Sequence, residues 1–122
     1  LVKQWEDLVL EHGWAYGSRG RALEGKRALC AISLGGGASA YGPEGLNRFT
    51  VRQLLAPLDQ TARLCRMRFL PPFVVHGTHR LDDAALDDAA RRYGAVLGAL
   101  AAGTVRRAGE DDDAPTIDAA LD

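Results

Sequence analysis

The feature that most limits what this chain can become is the run Ala28-Leu29-Cys30-Ala31-Ile32, five apolar residues without polar alternation. A strand with one wet face alternates apolar and polar side chains, whereas an unbroken run suits a strand covered on both faces, as in parallel sheets. A second such segment lies at Phe69 to His76, centred on Phe73-Val74-Val75. It is entered through Pro71-Pro72, which lack donor hydrogens and belong at the start of a strand or on an edge. Parallel neighbours need a long crossover, so the two runs and the segment between them predict one right-handed β-α-β unit.

That intervening helix has a legible start. Thr50-Val51-Arg52-Gln53 fits a capping box, with Phe49 and Leu54 placed to staple it. Leu54, Leu58, Thr61, Ala62 and Cys65 follow along one face, and Pro57 predicts a kink. A helix before the first strand carries Leu1, Val2, Trp5, Leu8 and Val9 at helical spacing, with Gly13 as its expected cap. A helix after the second strand is expected from Asp82 or Asp83, with Leu86, Ala90, Tyr93, Leu97 and Leu100 as its buried stripe. The order is α-β-α-β-α. Two doubly covered strands leave faces and edges without cover, and the first helix starts at residue 1 without a cap. The expectation is therefore a C-terminal portion of a larger domain, over residues 1–106.

Charge divides the chain. Residues 1–106 hold 14 Lys/Arg against 10 Asp/Glu, an excess of four, while residues 107–122 hold one Arg and six acids. The body is too weakly basic to imply nucleic acid, and the acidic stretch 107–122 is expected to be a disordered tail. Two cysteines, Cys30 and Cys65, supply neither a disulfide framework nor a four-ligand zinc site. Both read as small buried hydrophobes. With no basic-then-apolar leader and no run long enough to span a bilayer, a reducing intracellular setting is expected.

In open α/β sheets ligands bind beyond the carboxyl ends of the strands, which directs attention to Ser33–Phe49 and His76–Leu81. The first segment is long for a strand-to-helix loop. Its Gly35-Gly36-Gly37 lets backbone amides approach a planar or anionic ligand, and equally suits a flexible hinge. Tyr41 offers a phenol or a stacking ring. His76 and His79 are three residues apart, a poor metal pair on extended backbone, and read as a strand-end and a loop histidine; no metal site is expected. Trp14 and Tyr16 lie in a glycine-bracketed loop, suited to ligand stacking, subunit contact or core plugging.

Four segments together carry a family resemblance: Glu11-His12-Gly13-Trp14-Ala15-Tyr16-Gly17, the turn from Ser33 to Gly37, Pro43-Glu44-Gly45, and Leu70-Pro71-Pro72-Phe73-Val74-Val75-His76-Gly77. Over residues 1–102 the chain resembles the flavodoxin-like NAD(P)H:quinone oxidoreductases. It is most similar to the bacterial branch that includes modulator of drug activity B and the ancillary proteins of glutathione-gated potassium efflux. The resemblance implies a three-layer α/β/α fold with a parallel sheet. It also implies bound FMN (alternatively FAD), a homodimer, and two-electron transfer from NAD(P)H to a quinone. In the alternative reading the chain is a regulatory ancillary subunit of a glutathione-gated potassium-efflux system that binds flavin with little turnover. A cytoplasmic location is expected in both readings, peripheral at the inner face of the membrane in the second.

On residues, the resemblance matches Ser33-Leu34-Gly35-Gly36 to a family Thr-Thr-Gly-Gly turn at the isoalloxazine edge. Tyr41 matches a tyrosine that hydrogen-bonds near that edge and handles a proton. Asn47 stands where the mammalian branch has a histidine, and because an amide exchanges no proton, solvent is expected to supply it. Trp14 and Tyr16 match an aromatic loop near the active site and the dimer contact. The phosphate-cradling turn and a second aromatic loop of the family are expected upstream of Leu1.

Overall fold

A computed structural model of the chain describes residues 1–105 and 114–120. The backbone separates into two compact units, one formed by residues 1–28 and 55–69 and the other by residues 29–54 and 70–122.

In the first unit, helix α1 (Val2–Val9) ends at Leu10, whose amide donates to the Glu6 carbonyl at 2.9 Å. Gly13, expected to cap it, instead takes φ +86° in the turn beyond. The α1 stripe forms at its predicted spacing yet stays in solvent, with Leu8 70% exposed. Strand β1 (Arg27–Ala28) runs parallel to β3 (Arg68–Phe69), setting Arg27 opposite Arg68 and Ala28 opposite Phe69. Helix α3 (Ala56–Leu64) buries Ala62, and Cys65 at its end is sealed. Arg66 comes next at φ +58°, and its guanidinium donates to the carbonyls of Gly20 (2.6 Å) and Gly17 (3.1 Å). One long cation thus satisfies two loop carbonyls and ties residues 17–20 in place.

The second unit holds β2 (Ala31–Leu34) and β4 (Phe73–His76), also parallel, with Ala31 opposite Phe73 and Leu34 opposite His76. Each predicted strand is therefore two short segments. The interruption falls at Leu70-Pro71-Pro72, where two residues without N–H groups cannot donate to a ladder and where the partner segment has only Leu29-Cys30. The capping box is present: the Thr50 amide donates to Gln53 Oε1 at 2.8 Å and the Gln53 amide to Thr50 Oγ1 at 3.2 Å. Its staple is not, since Phe49 and Leu54 are both exposed. Helix α2 (Val51–Leu54) stops where α3 begins one residue later, so Pro57 lies in a first turn, where its missing donor costs nothing, and breaks the helix rather than kinking it.

Helix α4 (Asp83–Ala102) starts as predicted, with Asp82 Oδ1 accepting from the Ala85 amide at 2.8 Å, and closes at Gly103 with φ +69°. Its buried line differs from the predicted one. Ala89 and Val96 are buried, with Tyr93 and Leu100 beside them, while Leu86 is 57% exposed and Leu97 is also in solvent. Side-chain size sets the predicted stripe, whereas the strands accept the smaller residues on the neighbouring line of the helix. The unit's core is Leu70, Phe73, Val96 and Ile117.

Ile117 belongs to the stretch expected to be disordered. Residues 107–113 and 121–122 of that stretch lie outside the described residues, but 114–120 is built into the unit. Ile117 is 1% exposed, its amide donates to the Pro72 carbonyl at 3.0 Å, and Asp118 meets Arg92 at 2.6 Å. Composition alone marks this segment as tail because its single large apolar residue has no periodic companions.

Candidate functional site

Beyond the carboxyl ends of β2 and β4 two turns lock together. The Gly77 amide donates to the Gly36 carbonyl at 3.0 Å, and Thr78 Oγ1 to the Leu34 carbonyl at 3.4 Å. Gly77 takes φ +66°, a left-handed conformation that favours glycine. The glycine turn is crowded by rings: a Cβ on Gly36 would lie 3.2 Å from the Tyr41 ring, and one on Gly35 would lie 2.9 Å from the His79 ring. Among the described residues, the amides of Gly35, Gly36 and Gly37 donate to no intrachain acceptor. A turn with three free donors, kept open by the absence of side chains, suits an electron-rich acceptor edge.

Tyr41 is held by a 3-10 turn at Ala38–Ala40, its amide donating to the Ala38 carbonyl at 3.1 Å. Its ring lies 5.5 Å, centroid to centroid, from that of His76. His76 Nδ1 is buried without a hydrogen-bond partner. The sequence offers no sign of this pairing, because Tyr41 and His76 are 35 positions apart and the β2–β4 register alone brings them together. His79, expected as a plain loop residue, packs against Gly35.

Tyr41 and His76 share a cavity of about 510 Å³ with Ala38, Val74, the Thr50–Gln53 segment, Pro115 and Thr116, within the roughly 300–1,000 Å³ range common for small-molecule sites. Thr50, Arg52, Gln53 and Thr116 are additions to the predicted set; in the sequence Thr50 and Gln53 signal only a helix cap. Ser33 lines a different cavity, of about 310 Å³, with Ala31, Phe73, Val75, Leu86 and Tyr93. Leu34 contributes its carbonyl to the turn-locking contact. The Asn47 amide donates to the Ala40 carbonyl at 2.9 Å, so this residue shapes the Tyr41 loop through its backbone.

Trp14 and Tyr16 belong to the first unit. Trp14 is 46% exposed, and Tyr16 is half-buried against His12, rings edge to face at 5.4 Å. In that same unit the Cys65 thiol is pushed up by burial first and by the Glu6 carboxylate second, which keeps it protonated and unreactive.

The family described as having a flavodoxin-like fold matches residues 1–97. The ancillary protein KefF of the glutathione-regulated potassium-efflux system of Klebsiella aerogenes is 47% identical over 93 residues, covering 76% of this chain and 51% of that protein. The FMN complex of general stress protein 14 from Treponema denticola has a TM-score of 0.73 and 40% identity, covering 81% of this chain and 56% of that one. A P. pentosaceus protein described as an NADPH-quinone reductase has a TM-score of 0.66 and 31% identity, covering 72% and 52%. The chain spans about half the length of the curated relatives it matches. No helix among the described residues is long and apolar enough to cross a membrane.

Proposed function

Because the chain belongs to the family with the flavodoxin-like fold, an α/β architecture with parallel strands, we propose that it forms part of a flavin-dependent NAD(P)H oxidoreductase. The observation that carries this reading is the open Gly35–Gly37 turn, its amides free among the described residues, set against Tyr41 at the strand ends. FMN is the favoured flavin, because a relative with 40% identity is described in complex with it. A quinone is the favoured acceptor by likeness to the protein described as an NADPH-quinone reductase. A cytoplasmic homodimer is part of the same reading.

A bound flavin supplies the two-electron chemistry. The chain's own residues hold and balance it. Amides fixed before the reaction stabilise negative charge without reorganising, so Gly35 and Gly36 are assigned to the electron-rich edge. Tyr41 is assigned to hold a proton there, and His76, whose ring lies 5.5 Å from that of Tyr41 and whose Nδ1 has no hydrogen-bond partner, is assigned to exchange it. In this reading His76 stands beside solvent as a proton source for a tyrosine whose family partner position is Asn47. Leu34 and Ser33 contribute backbone, and Trp14 and Tyr16 are assigned to acceptor or subunit contact.

The test is a visible titration of the chain with FMN, then anaerobic NADPH, then 2-methyl-1,4-naphthoquinone. A perturbed flavin spectrum that bleaches and recovers supports the reading; an FMN spectrum indifferent to the protein overturns it. Binding without turnover favours a second reading, motivated by the KefF relative, in which the chain is an ancillary subunit of a membrane potassium-efflux protein.

A further inference from the structure

The cavity beside Tyr41 has one wall that the family match does not reach. The match ends at residue 97, yet Pro115 and Thr116 line the cavity. The segment that brings them there is anchored at three points. Ile117 is in the core with Leu70, Phe73 and Val96. Its amide is bonded to Pro72, and Asp118 is paired with Arg92 at 2.6 Å. A fourth contact crosses toward α2: an Arg52 Nη1 hydrogen is donated to the Ala114 carbonyl at 3.2 Å. Residues 114–118 are thus a strap whose inner side closes the cavity and whose first carbonyl holds an arginine at its edge.

The lining chemistry then selects an occupant. Val51, Val74, Ala38 and Pro115 are apolar, and the Tyr41 ring is aromatic. These surfaces favour a flat carbon skeleton. Arg52 is the cavity's fixed cation, half-buried and with one of its five N–H groups committed to Ala114. Among the described residues no carboxylate lines the cavity, and none is paired with Arg52. A guanidinium partly withdrawn from water gains most from an anion that offers its remaining donors a bidentate partner. Thr50, Gln53 and Thr116 add neutral polar groups that can share a carboxylate or sulfonate oxygen.

We propose that this strap-walled cavity binds a planar aromatic anion, with Arg52 as its counter-charge and residues 115–116 as its outer wall. The inference concerns what the cavity binds: the cavity shares Tyr41 and His76 with the proposed flavin site, but the test needs neither flavin nor NAD(P)H.

The experiment is a calorimetric and NMR titration of the chain with 2-naphthoate and with its uncharged near-isostere 2-naphthamide. A charge-assisted contact predicts roughly tenfold or more tighter binding of the naphthoate. Arg52→Met should abolish that preference, and Arg52→Lys should keep a preference for the anion. Thr116→Trp, which fills the cavity from the strap without touching the Ile117 anchor, should remove binding of both probes while the thermal midpoint stays unchanged. Equal affinities for the two probes, an undiminished preference in Arg52→Met, or unaltered binding in Thr116→Trp would each overturn the proposal. Flavin turnover with no naphthoate binding would defeat this inference and leave the oxidoreductase reading intact; the converse result would do the opposite.

Discussion

The two units solve the same packing problem to different degrees. The second unit seals large side chains, with Phe73, Val96 and Ile117 brought together by a strand, a helix and the strap. The first unit's buried set is mostly small, Ala15, Ala62 and Cys65 with Phe69, while Trp5 and Leu8 of α1 and Trp14 of the loop remain in solvent. The first relies more on backbone and polar ties, Arg66 to Gly17 and Gly20 above all. For function, the difference means that the open glycine turn and the Tyr41–His76 pair stand on the unit with the sealed core. Free donors and crowded rings need a rigid support to stay in place.

That contrast can be broken at its strongest point first. Ile117→Asp would bury an unpaired carboxylate among Leu70, Phe73 and Val96, at a cost of about 3–5 kcal/mol. A urea melt followed by circular dichroism should show the loss, and a change under about 1 kcal/mol would mean the strap is not part of the core. Next in size is Gly20→Ala in the first unit, where the new Cβ would collide with the Tyr16 carbonyl oxygen. About 2 kcal/mol of destabilisation is expected from the forced backbone shift, read in the same melt.

Smaller effects sharpen the comparison. Gly94 lies inside α4, and a methyl group placed on its Cα would have nothing within 4 Å. Gly94→Ala should therefore raise stability by about 0.5–1 kcal/mol in the same melt. Leu8→Glu on the open face of α1 should change the chain's stability by no more than about 0.5 kcal/mol. A larger loss would show that this face is covered in solution. The last effect is confined to alkaline solution. Burial and Glu6 raise the Cys65 thiol in the folded chain, so the unfolded chain loses this proton first as pH rises. Stability therefore falls once pH passes the ordinary thiol range. Glu6→Gln removes the smaller cause and should soften the decline in melts repeated across that range.

Much of the second unit was legible. Continuous apolar runs foretold parallel pairing of β2 with β4, and the Thr50–Gln53 box and Asp82 cap appear atom for atom. Each is encoded within a few residues. The misses share a different cause. Leu86 and Leu97 lie on the open side of α4, and the apolar stripe of α1 is exposed, because periodicity reports amphipathicity and not what lies opposite. Ile117 was invisible for the reverse reason, a single anchor without a pattern. At the candidate site, local composition singles out the Gly35–Gly36 turn and Tyr41, which lie against each other in the fold. The His76 partner and the Arg52–Ala114 contact depend on strand register and on a contact 62 residues apart in sequence, which no local motif records.

In the proposed function the turn at the end of β2, rather than the aromatic loop of the first unit, receives the flavin. The direct measurement is a titration of the isotope-labelled chain with FMN, following backbone amide signals residue by residue. The signals of Gly35, Gly36, Gly37 and Tyr41 should move first, and Gly36→Val, which crowds the Tyr41 ring, should abolish those shifts. Shifts confined to Trp14–Gly17, or an amide spectrum untouched by FMN, would contradict that assignment.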